Sequence, residues 1–162
     1  MRRPARTLVG AGLLAASLLG CGGGGSLGAG TPDLHFSRAQ ASGPVAGASQ
    51  LVVTIENRGD GADRLVAAET DAALAVEIHR TVIEDDGRAF MRGLDDVVIG
   101  AGETVRFRPG DLHLMVVVPD DRVRVGGTFE VILRFERSAP VTLEVEVVDL
   151  LDLVERDALE AG

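Results

Sequence analysis

The sequence predicts an all-β domain, a sandwich or barrel, and three observations support this prediction. From residue 33 onward, short stretches rich in Val and Thr alternate with Gly, Pro, Asp and Asn at intervals of about ten residues. Residues 129–135 and 141–147 alternate between apolar and largely polar side chains, so each would bury one face. Aromatic residues make up 3% of the chain, without Trp or Tyr, so the core must come from Val, Leu, Ile, Ala and five Phe, which favours strands.

Turn residues separate the predicted strands. Residues 57–61 (Asn-Arg-Gly-Asp-Gly) form one turn, and residues 85–87 (Asp-Asp-Gly) close a hairpin, because Asp-Gly tolerates the positive φ of tight turns. No long amphipathic helix is predicted inside the domain, but apolar residues at helical spacing after residue 149 indicate a short C-terminal helix or an extension. The predicted strands are residues 34–38, 50–56, 64–68, 75–83, 89–92, 104–108, 112–118, 128–136 and 141–148.

The first residues have the pattern of an export signal. Three arginines precede an apolar run over residues 8–19, which is too short to span a bilayer. The following Gly20-Cys21 completes a segment, residues 18–21, that resembles the lipobox of bacterial lipoproteins, where the cysteine is lipidated. We therefore expect a signal peptide over residues 1–20 and a lipid anchor on Cys21.

The remaining chain is long enough for one domain with a hydrophobic core. Residues 21–31 are rich in Gly and predict a flexible tether, residues 32–149 form the domain, and residues 150–162 form a tail. Cys21 is the only cysteine, which excludes an internal disulfide, a CxxC redox pair and a thiolate zinc site from the mature domain.

The charge of the chain disfavours nucleic acid as a partner. The formal net charge is −9, and without the three arginines of the leader 13 positive charges face 25 negative ones, giving −12. This acidity indicates either plain solubility or attraction of cations or of a basic partner, and the sequence leaves both open.

Two histidines and two methionines of the domain lie close together in the predicted strands. His113 and Met115 are two residues apart in one strand, so their side chains share a face. His79 precedes the predicted hairpin turn and Met91 follows it, which brings them near each other, though not in simple opposed register. Singly, each residue would be ordinary core or surface, but imidazole and thioether ligands together select copper(I). Blue-copper electron transfer is disfavoured because it needs a cysteine ligand.

The domain contains five recognisable segments: NRGDGADRLV (57–66), VEIH (76–79), MR (91–92), AGETV (101–105) and PGDLHLM (109–115). Together they resemble the PCuAC family of periplasmic copper chaperones, over about residues 33 to 148. The family's signature is a His, a Met about eleven residues later, then 21 residues and His-x-Met; 21 residues also separate Met91 from His113 here. Eleven residues, where the family usually has ten, lie between His79 and Met91, and Arg80 stands where the family often has Met.

The resemblance implies a cupredoxin-like Greek-key β-sandwich that binds one copper(I) near its surface through His79, Met91, His113 and Met115. It further implies delivery of copper to the CuA centre of cytochrome c oxidase, so the partner would be the copper-bearing oxidase subunit or another copper carrier. Anchored to a membrane through Cys21, the domain would face the periplasm or the cell exterior. His35 lies outside the motif and is interpreted as structural.

The sequence contains no pattern that predicts an enzyme. No Ser-His-Asp pairing, phosphate loop or convergent carboxylate pair exceeds what chance would produce. Two alternatives to the copper chaperone stay open: a copper-buffering or resistance lipoprotein without a dedicated acceptor, and a metal-free β-sandwich interaction module.

Overall fold

The computed structural model describes residues 27–160, whose regular structure consists of ten β-strands and one helix. The predicted signal peptide and Cys21 lie outside these residues. No helix within residues 27–160 is long and apolar enough to cross a membrane. The strands are β1 (Leu34–Ser42), β2 (Ala48–Asn57), β3 (Asp63–Glu69), β4 (Ala73–Ile83), β5 (Ala89–Leu94), β6 (Val97–Ile99), β7 (Thr104–Arg106), β8 (Leu112–Pro119), β9 (Thr128–Phe135) and β10 (Val141–Val148), and the helix is α1 (Leu150–Glu160).

The strands pair in one continuous order that curls back on itself. That order is β5-β4-β8-β2-β1-β10-β9-β3-β6, with β7 pairing the end of β2 beyond β8. A parallel β1–β10 pairing joins the layer β5-β4-β8-β2-β1 to the layer β10-β9-β3-β6. One bridge between β3 and β4, Ala68 opposite Val76, joins the two layers again. This arrangement confirms the predicted all-β sandwich.

Side-chain alternation explains most of the core. In β9 the residues Phe129, Val131, Leu133 and Phe135 are buried, and most of the intervening residues are exposed. Strand β8 differs because residues 112–116 are all buried. Its two edges pair with β4 and β2, and the burial of His113 and Met115 shows that its outward face is covered as well as the face toward the core.

Strand β6 is the element that the sequence did not predict. Its three residues are too few to show a period, and they form a strand by pairing with β3, where Asp63 lies opposite Ile99.

Helix α1 begins after Asp149, whose side-chain Oδ1 accepts the Leu151 N–H at 2.9 Å, as an N-cap residue does. Leu153 of α1 is fully buried against Val52 of β2, so the helix covers part of the outer face of this layer.

The segment before β1 is bonded to the turn that follows β2. The Leu27 carbonyl accepts the Ala62 N–H at 3.2 Å, and the Thr31 N–H donates to Asp60 Oδ1 at 2.7 Å. A side chain at Gly30 would collide with the Asp60 carbonyl, 2.3 Å from its Cβ, so this close approach requires glycine. The contacts of the domain therefore include Leu27, within the segment predicted as a tether.

Asp63 at the start of β3 is a buried carboxylate held by backbone donors. It is fully inaccessible, and its oxygens accept the N–H groups of Arg64, Arg137 and Ser138 at 2.7, 3.0 and 2.9 Å. Burial raises the pKa of Asp63, but the hydrogen bonds from Ser138, Arg64 and Arg137 outweigh it and lower the pKa below its ordinary value of 3.8.

We expect Asp63 to make the stability of the domain depend on pH in the acid range. Because its folded-state pKa lies below the unfolded value, its contribution is present above pH 3.8 and is lost as pH falls through the folded pKa. Urea unfolding of the wild type and of Asp63→Asn between pH 2 and 6 measures this contribution. The stability difference between the two proteins should shrink as pH falls, and a difference that stays constant would contradict the assignment.

Candidate metal centre

Strand register brings the four predicted ligands to one face of the sheet. His79 of β4 lies directly opposite His113 of β8, and Met115 lies two residues further along the same face of β8. On the other side of β4, Met91 of β5 lies opposite Thr81, which shares the face of His79. This is the face that α1 covers further along, over β2.

His113 presents one nitrogen without a partner. The residue is fully buried, and its Nδ1 lies 2.9 Å from the carbonyl oxygen of Asp111. Because a carbonyl oxygen only accepts, Nδ1 carries the hydrogen, and the lone pair of the neutral ring is on Nε2. That Nε2 is buried and has no hydrogen-bond partner among the described residues.

His79 has the opposite arrangement. Its Nε2 lies 2.9 Å from Glu77 Oε2, and a carboxylate that accepts this hydrogen leaves the lone pair of the neutral ring on Nδ1. This Nδ1 is also buried without a partner in the described part of the chain. The centroids of the two rings lie 6.0 Å apart, and the ring planes make an angle of 85°. Each ring therefore has one nitrogen fixed by an acceptor and one available as a ligand.

The protonation of His113 favours metal binding. Burial is the main cause that lowers the pKa of His113, and nearby His79 lowers it further, although the bond to the Asp111 carbonyl acts in the other direction. A lowered pKa keeps the ring neutral near pH 7, which is the form that ligates a metal.

The two methionines differ in accessibility. Met115 is 9% exposed in the central strand β8, whereas Met91 is 53% exposed on β5, the edge strand of its layer. Gly93 stands opposite His79, and a Cβ there would come within 4.0 Å of the His79 ring. Met91 is thus a diagonal neighbour of His79, two residues from the directly opposed position, as the sequence analysis expected.

Two residues near the four were not singled out from sequence. Glu77 lies opposite Met115 and fixes the His79 ring, and Gly93 leaves that ring uncovered on the side of β5. An acidic residue two positions before His79 in a strand must share its face, and this spacing is a signal that would have identified Glu77. His35, the third histidine, lies in β1 with its Nε2 3.2 Å from Asp33 Oδ2, away from these residues.

The chemistry of this donor set is soft and neutral. Two imidazole lone pairs and two thioethers on one face bring no negative charge, and thioethers bind hard cations such as Mg²⁺ or Ca²⁺ poorly. The second nitrogen of each ring also has an acceptor, the Asp111 carbonyl for His113 and the Glu77 carboxylate for His79. Such acceptors commonly accompany metal-binding histidines. The residues fit a soft cation such as copper(I).

Comparisons with known proteins agree with this fold. Residues 33–147 match the family model described as LpqE-like, a family of lipoproteins. A protein of Leifsonia xyli subsp. xyli (strain CTCB07), Lxx21020, which is named as a lipoprotein, is 27% identical over 116 residues, covering 72% of this chain and 70% of that protein.

Solved structures of PCuAC domains have the same fold. A copper-bound PCuAC domain from PmoF2 superposes with a TM-score of 0.60 at 23% identity, over 72% of this chain and 92% of that one. The copper(I) form of DR1885 from Deinococcus radiodurans superposes with a TM-score of 0.56 at 20% identity, over 73% of this chain and 78% of that one.

Proposed function

The chain belongs to the LpqE-like family of lipoproteins, and from this premise we propose that it is a copper(I) chaperone. In this proposal His79 Nδ1, His113 Nε2 and the sulfurs of Met91 and Met115 bind one copper(I) ion outside the cytoplasmic membrane. The cargo is then delivered to the CuA centre of cytochrome c oxidase. A lipid on Cys21 would hold the domain near a membrane-embedded acceptor and raise its effective concentration there.

One observation carries this proposal: two histidines face each other, and each has a buried nitrogen without a partner among the described residues. An unpaired buried polar atom costs free energy, and the two ring centroids lie 6.0 Å apart, so one ligand bound by both nitrogens would remove both costs. The fold shared with copper-bound PCuAC domains and the two methionines on the same face favour copper(I) as that ligand.

The arrangement supports transfer of the ion. Neutral ligands bind copper(I) without the strong attraction that anionic ligands would add. The exposed Met91 offers a position where an incoming ligand can displace a thioether first. The ion can then pass to the acceptor by stepwise ligand exchange, with no net proton movement near neutral pH. Each bond from copper(I) to a His or Met of this chain breaks as a bond to the acceptor forms, and no covalent bond within the protein breaks.

The test is an anaerobic copper(I) titration of the purified full chain followed by X-ray absorption spectroscopy. We expect one ion per chain with nitrogen and sulfur in its first shell. His35→Ala is the matched control, because it removes a histidine that lies outside the site and should bind copper(I) like the wild type. Absence of stoichiometric binding, or a shell without sulfur, would refute the proposal and favour the metal-free interaction module.

Delivery is tested separately from binding. The copper(I)-loaded chain is mixed with an apo CuA domain, and formation of the binuclear centre is followed by its absorption spectrum. Transfer is expected, whereas a chain that binds copper(I) tightly but loads no CuA centre would favour a copper-buffering lipoprotein.

Glu77 should act on copper(I) through His79. Replacing Glu77 by Gln keeps the size of the side chain but substitutes a weaker acceptor, so the His79 ring is less firmly held in the tautomer with Nδ1 free. Loss of such a second partner lowers metal affinity by about 10- to 100-fold, and we expect the lower end because Glu77 is partly solvated. Competition with a copper(I) chelator measures the copper(I) affinity of the wild type and of the variant. The control is Glu84→Gln, which changes the same charge at the hairpin tip; equal effects of both would point to general electrostatics.

A further inference from the structure

A cavity lies on the opposite side of β4 from the candidate metal centre. It has a volume of about 310 Å³ and is enclosed by β4, β6, β7 and the start of β8. This volume is at the small end for ligand sites in proteins. Three arginines, Arg80, Arg106 and Arg108, line it, with buried Val97 and Leu112 on the apolar part of the wall.

Two of these arginines have no carboxylate partner. Arg108 forms an ion pair with Asp111 at 3.2 Å, but within residues 27–160 no ion pair involves Arg80 or Arg106. The domain has nearly twice as many acidic residues as arginines, so an arginine would easily find a partner. Arg80 instead lies directly opposite Arg92 across the β4–β5 pair, where two like charges repel each other.

The acidic residues of the wall do not neutralise this charge directly. The Glu103 carboxylate accepts the Gly100 N–H at 2.6 Å, and that of Asp111 is engaged by Arg108. The guanidinium group of Arg80 therefore remains available to a ligand.

The free edge of β7 adds further donors to the same cavity. Phe107 N–H donates to the Val53 carbonyl, and Thr104 and Arg106 alternate with the residues that bond to β2. In an antiparallel pair, alternate residues direct their N–H groups to opposite edges, so the N–H groups of Thr104 and Arg106 point away from β2 toward the cavity. A sheet edge with such N–H groups is a favourable place for an anion.

We propose that this cavity binds a small organic anion. Arg106 stands between buried Val105 and Phe107, so its side chain lies on the outer face and its backbone borders the cavity. The carboxylate or phosphate head therefore pairs with Arg80, whose planar guanidinium group matches either head group, and accepts the N–H groups of Thr104 and Arg106. The short carbon chain of the anion packs on Val97 and Leu112. The proposal is independent of copper binding, because none of the four proposed copper ligands lines this cavity.

The test is titration of the metal-free full chain with butyrate, butyl phosphate and inorganic phosphate, followed by the amide NMR signals of Thr104 and Arg106. We expect saturable binding of butyrate or butyl phosphate with shifts of both signals. Arg80→Gln should weaken it at least about tenfold. Arg156→Gln, the same charge change on exposed α1, is the control and should leave it unchanged.

Three results would overturn the proposal. These are the absence of saturable binding, unchanged binding in Arg80→Gln, and equal weakening in Arg156→Gln, which would indicate nonspecific charge attraction. Inorganic phosphate that binds as tightly as butyl phosphate would remove the role assigned to the apolar wall.

Discussion

Replacing both His113 and Met115 by Ala is expected to abolish stoichiometric copper(I) binding. The substitution removes the buried nitrogen Nε2 and the buried thioether, the two proposed ligands that sit in the central strand β8. Only His79 and Met91 would remain, and Met91 lies on an exposed edge strand. Loss of a supporting residue alone costs 10- to 100-fold in metal affinity, so loss of two direct ligands should exceed about 100-fold.

The measurement is a chelator competition, in which the wild type and the variant compete for copper(I) with the same probe. His113 and Met115 are buried, so the variant must first be shown to fold by its far-UV circular dichroism. Met115→Leu serves as a second variant because Leu preserves volume while removing the sulfur. A folded Met115→Leu or double variant that binds copper(I) as tightly as the wild type would exclude these residues as ligands.

The second large effect is a loss of stability on replacement of Asn57, because this residue joins three segments of the chain. Its Oδ1 accepts the N–H groups of Asp33 and Gly59, and its Nδ2 donates to the carbonyls of Gly61, Ile99 and Gly100, at 2.8 to 3.2 Å. The side chain is fully buried. Asn57→Ala leaves several of these groups unpaired, each costing about 1–3 kcal/mol, so we expect a loss of roughly 3–5 kcal/mol of unfolding free energy.

Chemical denaturation measures the loss, and Asn57→Asp tests its cause. At neutral pH the aspartate would place an anion against three carbonyl oxygens and should be at least as damaging as Ala. Burial beside these carbonyls would raise its pKa, so the stability of this variant should recover as pH falls and the acid becomes a donor. Gln40→Ala, which removes an exposed amide bonded to Glu146, is the control and should change stability by less than about 0.5 kcal/mol. An equally small effect at Asn57 would contradict its role.

The sequence predicted the strands well wherever a period of two was visible. Strand β9 shows this directly, since its four apolar residues are the ones that are buried. Strand β6 was missed because three residues cannot display a period, and its formation depends on β3, more than thirty residues away. Turn chemistry placed the β4–β5 hairpin, because Asp-Gly at residues 86–87 supplies a glycine with a φ of 82°.

For the candidate metal centre, the sequence by itself determined which residue types share a face. Spacing within a strand puts His113 and Met115 on one side, and the hairpin puts Met91 near His79, because side chains alternate along a strand. The tertiary structure alone decided that His79 lies opposite His113, that Glu77 and Asp111 fix the two rings, and that Arg80 borders a cavity beside the free edge of β7. These outcomes depend on the order and register of strands far apart in the chain, which local periodicity leaves undetermined.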